Sequence, residues 1–279
     1  MKNQDWYLEH IIKLGTAISQ LEDRDLAPGP IANALFSGLV HIVREFPPFD
    51  VSQILLDPTV QFLQPLVVEK CSVAEYLLEV EFARRVILYG VKLSDFMYYE
   101  NYQLLVEFEM KCLAEYIFPL KIVDEIAEIV IVGSGPLPLT SIVVLQHLHQ
   151  SAQIVNYDHN EEANVMGAGI VASYGLENRV NFVQCTALNI ETLHNADVVY
   201  MAALVGNNAQ EKREIISHLY KIMKPGAILA ARCSTGLREF IYQPISQEDF
   251  GDFEQFQQYD PDNEVIINSI ALGRKFLDH

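Results

Sequence analysis

The segment Glu128-Ile-Val-Ile-Val-Gly-Ser-Gly-Pro-Leu-Pro-Leu-Thr-Ser-Ile-Val-Val-Leu-Gln-His147 constrains this chain more than any other. Ile129 to Val132 are four β-branched residues in a row, stiff at χ1 and suited to a pleated, buried strand. Gly133-Ser134-Gly135 follows, then an apolar stretch at helical spacing from Leu139. Strand, glycine turn and helix form the unit that opens a nucleotide-binding α/β domain. Residues Ala152 to Tyr157 read as a second buried strand, and Asp158 stands at its end. An acid about 20–25 residues past the first glycine is placed to accept both ribose hydroxyls of an adenosine. The segment therefore predicts a ligand that carries adenosine.

From Ile129 to Tyr157 there is no Asp, Glu, Lys or Arg, a property shared with membrane helices. Gly133, Gly135, Pro136 and Pro138 in its middle argue against a span. The formal net charge of −18 is spread along the chain. Such a surface repels phosphate backbones and anionic lipid, so nucleic acid and membranes are not expected partners. Cys71, Cys112, Cys185 and Cys233 form no CxxC, and Met1-Lys2-Asn3-Gln4-Asp5-Trp6 leads straight into an amphipathic pattern rather than a signal sequence. Reduced thiols in a cytoplasmic protein are expected. His147 and His149 are two apart, on different faces of a helix, so no metal site is expected.

The two halves differ in texture. Residues 1–120 carry helical periodicity: a helix from Trp6 to Leu21, another from Pro30 to Val43, a turn at Val51–Leu56, and long helices over Val73–Leu88 and Leu93–Tyr116, the last closed by Pro119. Residues 121–279 alternate strand and helix: Ile129–Val132, Leu139–His149, Gln153–Tyr157, Glu161–Tyr174, Val180–Gln184, Val198–Ala202, Gln210–Met223, Ala227–Arg232 and Val265–Leu272. Alternation of this kind predicts a parallel sheet wrapped by helices. The expected fold is α/β: a Rossmann-like domain preceded by an all-helical domain, with the site between them.

The second half resembles a class I S-adenosylmethionine-dependent transferase in its glycine turn, its acidic strand end, the Cys185-Thr186-Ala187 strand end and the helix–Lys224-Pro225-Gly226–strand passage. It departs from methyltransferase turns, which carry an acid before the first glycine; Val132 stands there, and Pro136-Leu137-Pro138 follows the turn. The Gly-Ser-Gly-Pro-Leu-Pro-Leu-Thr string is similar to the nicotianamine synthase family, as are Met201-Ala202-Ala203-Leu204 and Tyr242-Gln-Pro-Ile-Ser246. In the first half Leu78-Glu79-Val80-Glu81-Phe82-Ala83-Arg84-Arg85 and Phe96-Met97-Tyr98-Tyr99-Glu100-Asn101-Tyr102 also match. The resemblance spans about residues 70–270 and is to the shorter archaeal and bacterial members. Among the bacterial ones are makers of opine metallophores of the staphylopine, pseudopaline and yersinopine type.

The resemblance implies transfer of the 3-amino-3-carboxypropyl (aminobutanoyl) arm of S-adenosylmethionine, a co-substrate, to the amine of an amino acid, releasing methylthioadenosine. Histidine is the acceptor implied by the bacterial relatives. No metal is required, and the resemblance leaves room for a homodimer. It also implies roles: Glu79 as the base that takes the amine's proton, Tyr102 positioning substrate and carboxylate, and Tyr98 or Tyr99 lining the acceptor pocket. Gly133, Ser134, Gly135, Pro136, Asp158, His159, Thr186, Ala187, Leu188, Ala202, Ala203 and Leu204 are the residues expected around the donor. The local sequence agrees on Glu79. Glu81 has Arg84 and Arg85 at i+3 and i+4, an ion-pair spacing, whereas Glu79 has Phe82 and Ala83 there and like-charged Glu75 one turn before. Desolvation and like charge both raise a carboxyl pKa. Arg232 ends a predicted strand and is expected either to clamp a substrate carboxylate or to pair with an acidic neighbour at the surface, with Arg238 a weaker candidate for the clamp. Two other readings are an ordinary small-molecule methyltransferase and a non-catalytic adenosine-ligand sensor with a helical output domain.

Overall fold

The computed structural model describes residues 2–118, 123–206 and 208–277. Helices α1 (Gln4–Ser19), α2 (Pro30–Val43), α3 (Ser52–Leu55), α4 (Pro58–Tyr89) and α5 (Tyr99–Ile117) come first. Then follow β1 (Glu128–Val132), α6 (Leu139–Val144), β2 (Gln153–Asp158), α7 (Glu161–Ser173), β3 (Val180–Gln184), β4 (Val198–Met201), α8 (Ala209–Ile222), β5 (Ile228–Cys233), α9 (Gln247–Phe250), β6 (Glu254–Tyr259) and β7 (Ser269–Arg274). The predicted boundary at residue 120 and its Pro119 stop fall on residues outside those described.

The strands form one sheet in the order β3-β2-β1-β4-β5-β7-β6. β1 pairs in parallel with β2 on one side and β4 on the other. The strand order reverses there, so a crevice opens beyond the carboxyl ends of β1 and β4. The all-parallel expectation is corrected at one edge: β7 runs antiparallel to both β5 and β6. β6 was not foreseen because Glu254-Gln-Phe-Gln-Gln-Tyr259 is an exposed edge strand with little apolar signal.

Period-two alternation divides β1 between two cores. Ile129 and Ile131 face α5 and α6, in a cluster with Val106, Met110, Leu113, Val143 and Val144. Val130 and Val132 face α8, with Ile215, Ile216 and Leu219. A third cluster joins α1, α2 and the first half of α4 to Leu237, Phe240 and Ile241, which follow β5.

α4 is twice as long as the spacing predicts. Asp57 caps it by accepting from the Thr59 and Val60 amides, Pro58 stands at its first position, and Gly90 closes it in the left-handed conformation at φ 64°. Its first half buries Val60, Leu63 and Val67 against α1 and its neighbours. Its second half buries Phe82, Ala83 and Val86 against Leu137, Leu139, Ile142 and Ile170. The buried face changes along the helix, so no single stripe marks its length. α5 begins at Tyr99 rather than Leu93: Leu93–Asp95 is a separate 3-10 turn and Tyr98 is the N-cap.

Candidate active site

The glycine turn sits at the mouth of the crevice. The Gly133 amide donates to Tyr157 O at 2.8 Å, tying the end of β1 to β2. Gly133 has φ +80°, and a Cβ there would meet Val205 Cγ2 at 2.3 Å. Gly135 has φ +65°, and a Cβ there would meet Glu79 Oε2 at 2.6 Å. The second glycine is therefore what lets a carboxylate from α4 approach the turn. Ser134 Oγ is buried with no hydrogen-bond partner.

Asp158 is buried at the end of β2. Its Oδ2 accepts from the Gly135 amide and its Oδ1 from the Asn160 amide, both at 2.9 Å. Each ionised carboxylate oxygen has a second acceptor site, which leaves one apiece for a pair of hydroxyls. Exposed His159 reaches back with Nδ1 3.5 Å from Asp158 Oδ1. Cys185 follows β3 and donates its amide to Asp158 O at 3.0 Å, setting Thr186 and Ala187 along the wall. Past β4, Ala202 donates to Val132 O at 3.0 Å. Buried Lys212 then holds the loop after it, donating Nζ to Ala203 O at 2.7 Å and Val205 O at 2.8 Å. Burial pulls the Lys212 ammonium down to about 8.

The helices supply the titratable groups. Glu79 from α4 receives the Tyr102 hydroxyl of α5 on Oε1 at 3.3 Å. One turn earlier, Glu75 receives the Tyr242 hydroxyl on Oε1 at 2.6 Å. Burial and then the Glu75 charge push the Glu79 carboxyl from 4.5 up to about 8, against the Tyr102 hydrogen bond and the Leu137 backbone. Burial raises Glu75 as well, opposed by Tyr242. Burial raises the Tyr102 and Tyr242 phenols well above the usual value, with charges on Glu79 and Glu75 adding to it. Glu79 is partly accessible, and what it faces is a cavity of about 870 Å³. Gly133 to Leu137, Asp158, His159, Thr186, Ala187, Ala202 to Leu204, Tyr98, Tyr102, Tyr242 and Arg232 line that same space.

Several expectations are corrected. Leu188 is 48% exposed and stands outside the cavity wall, because the 3-10 turn at Ala187–Asn189 points it outward. Tyr99 does not line the cavity either; it packs against the apolar cluster that α4 forms with the segment after the glycine turn. Arg232 is not a free clamp. Its Nε and Nη2 donate to Glu109 Oε1 and Oε2 at 2.7 and 2.9 Å, and Glu109 is fully buried. Arg238 is buried beneath Phe46, its guanidinium carbon 4.3 Å from the ring centre. Arg84 pairs with Glu162 of α7 at 2.9 Å instead of with Glu81, so it joins α4 to the sheet's outer layer.

Glu75, Tyr242 and Lys212 were not assigned to the site from sequence. Glu75 and Glu79 at i and i+4 signalled one helix face, but the partner of Glu75 lies 167 residues away. Among the described residues there is no group of three His, Cys, Asp or Glu able to hold a metal, and no helix long and apolar enough to cross a membrane.

A family model described as "Nicotianamine synthase protein" matches residues 1–279. The chain belongs to the nicotianamine synthase family. It is 34% identical over 279 residues to the nicotianamine synthase of Solanum lycopersicum, a match covering 98% of this chain and 84% of the relative. Nicotianamine synthase 2 of Oryza sativa subsp. japonica is 36% identical over 280 residues, covering 96% and 82%. Among solved structures, the fold matches a crystal structure of an MtNAS variant with a TM-score of 0.80 at 20% identity, covering 97% of this chain and 98% of that one. A second match, with a TM-score of 0.77 at 20% identity over 96% and 98% of the two chains, is MtNAS in complex with MTA and tNA. The Rossmann-like α/β fold with its helical N-terminal part is thus the family's fold.

Proposed function

We propose that this chain transfers the 3-amino-3-carboxypropyl arm of S-adenosylmethionine to the amine of an amino acid and releases methylthioadenosine. The observation that carries the reading is Glu79: a carboxyl with its pKa pushed up to about 8, bonded to Tyr102, lying against a glycine turn that only a missing Cβ leaves open to it. Asp158 takes the ribose hydroxyls, and the Gly133–Pro136 turn and Ala202–Leu204 wall enclose the donor.

The acceptor nitrogen attacks the γ-carbon of the donor. The N–C bond forms as the C–S bond breaks, and the electron pair goes to sulfur, which leaves as a neutral thioether. The sulfonium is already activated, so the protein positions the amine and removes its proton. At neutral pH an acceptor amine arrives as ammonium. A carboxyl that titrates near 8 in the empty site is mostly protonated, and the positive charges of ammonium and sulfonium favour its ionised form. Binding of the two substrates thus makes the base that the reaction needs. Tyr102 holds the carboxylate while its other oxygen faces the turn.

Histidine as acceptor, with a single transfer and a metal-chelating product, is the reading supported by the motif resemblance to the bacterial opine-metallophore makers. The match to plant nicotianamine synthases over most of their length favours a second reading, in which every unit of the product comes from S-adenosylmethionine. Incubation with S-adenosylmethionine and D- or L-histidine, with products read by mass, separates the two. A product one aminobutanoyl unit heavier than histidine supports the first; product built from S-adenosylmethionine alone supports the second. Product one methyl heavier than its acceptor refutes both.

A further inference from the structure

The cavity is longer than its donor half. Beyond Glu75 and Tyr242 it runs to α2, where Asn33, Ser37, Val40 and Arg44 lie on one helical stripe along its wall. An amino-acid acceptor brings a carboxylate into this acidic protein, and the expected clamp, Arg232, is neutralised by both oxygens of Glu109. Arg44 is the other arginine of the cavity wall. Among the described residues no carboxylate lies within ion-pair distance of it; its one side-chain hydrogen bond is Nη2 to His41 Nδ1, at 3.4 Å. Its Nε is buried and has no partner. Asn268 lines the same cavity, and its Nδ2 is also buried and unpartnered. Arg238 Nη2 donates to Arg44 O at 3.2 Å and to Asn263 O at 3.0 Å, which fixes the end of α2 beside the segment that leads to Asn268. A buried donor without an acceptor is costly, and two such donors lining one cavity suit an anionic, multidentate oxygen ligand.

We propose that Arg44, assisted by Asn268, binds a carboxylate of the acceptor at the α2 end of the cavity. The enzyme then selects acceptors that carry an α-carboxylate over their decarboxylated amines. The proposal rests on the transfer reading above and names the group that reading lacks. Arg44 is a binding residue here. Among the described residues its side chain makes one hydrogen bond, the long one to His41 of its own helix, and Arg238 uses its main-chain oxygen, so Arg44→Gln leaves the end of α2 pinned.

The test measures methylthioadenosine release with two pairs of acceptors: histidine against histamine, and S-adenosylmethionine against its decarboxylated form. In the wild type the carboxylate-bearing member of the pair in use has the lower KM. Arg44→Gln raises that KM by about tenfold to a hundredfold, the range for a lost charge-assisted hydrogen bond, and removes the preference while apparent donor affinity holds. Arg44→Lys restores part of it. Equal use of both members by the wild type, or an unchanged preference in Arg44→Gln, overturns the proposal. Absence of methylthioadenosine in every arm instead refutes the transfer reading. Calorimetric titration of the same probes then decides Arg44: carboxylate-dependent binding lost in Arg44→Gln upholds it, and equal or no binding overturns it.

Discussion

Replacing Glu79 by Gln keeps the size of the side chain and its ability to accept from Tyr102 while removing the proton acceptor. A positioned general base contributes about 10²–10⁴-fold, and transfer should fall by that amount. The pH dependence is more specific. In the empty site Glu79 titrates near 8, so kcat/KM of the wild type rises with pH up to that region as the base form accumulates. The limb of kcat lies at lower pH, because the bound cations favour the carboxylate. Glu79→Gln lacks the Glu79 limb and keeps only the rise set by ionisation of the acceptor amine itself. Stability changes in the opposite sense. The unfolded carboxyl loses its proton near 4.5 and the folded one near 8. Between those values the folded state holds a proton that the unfolded state has lost, so the wild type loses stability as pH rises through the window. At about 1.4 kcal/mol per pH unit the loss has a ceiling of about 5 kcal/mol, reduced by local relaxation and by coupling to Glu75. Glu79→Gln has no such loss, so its melting temperature relative to wild type should climb from pH 5 to pH 9. Stopped-time assays across that range and parallel thermal melts read both effects. A variant within tenfold of wild type, or a stability difference flat in pH, refutes the assignment of the base.

Three further outcomes follow from the same geometry. Asp158→Ala removes the carboxylate placed for the ribose hydroxyls; donor binding measured by calorimetry should weaken by about 1.5–3 kcal/mol, roughly tenfold to a hundredfold. Tyr102→Phe loses the hydrogen bond that lowers Glu79, so the rising limb of kcat/KM should move to higher pH, and an unmoved limb would mean that the 3.3 Å contact is not formed in solution. Arg232→Ala strands the buried Glu109 carboxylate, which costs about 3–5 kcal/mol, whereas Arg232→Met with Glu109→Leu should melt close to wild type; a single substitution as stable as the double one would contradict the buried pairing.

The glycine turn and the acid at the end of the second strand are legible in the sequence because each is announced locally, whereas Glu79 is singled out by the motif resemblance and its local sequence only agrees with it. β-Branched residues run into glycines, and an acid ends the next strand; the absence of a cation at i+3 and i+4 of Glu79 does not by itself separate it from a solvated helix glutamate. What was not legible depends on partners far away in the chain. For Arg232 the sequence leaves a clamp and an ion pair equally open, and only the fold brings Glu109, 123 residues earlier, onto its Nε and Nη2. Glu75 enters the sequence reading only as a like charge one turn before Glu79; its Tyr242 partner, 167 residues away, is seen only in the fold. α4 was half missed because its buried face changes partway along, and β6 because an exposed edge strand needs no apolar run. Tyr99 and Leu188 sit beside lining residues in sequence, yet neither lines the cavity: Tyr99 packs against an apolar cluster and Leu188 is exposed, a difference between neighbours that motif matching does not register.

The central claim is that the bond broken lies between sulfur and the γ-carbon of the arm. Chromatography of a turnover mixture containing the chain, S-adenosylmethionine and candidate amino acids tests it most directly. Methylthioadenosine as the nucleoside product, in amounts equal to the arms transferred, is the predicted result. S-adenosylhomocysteine as the only nucleoside product would place the attack at the methyl group and contradict the account.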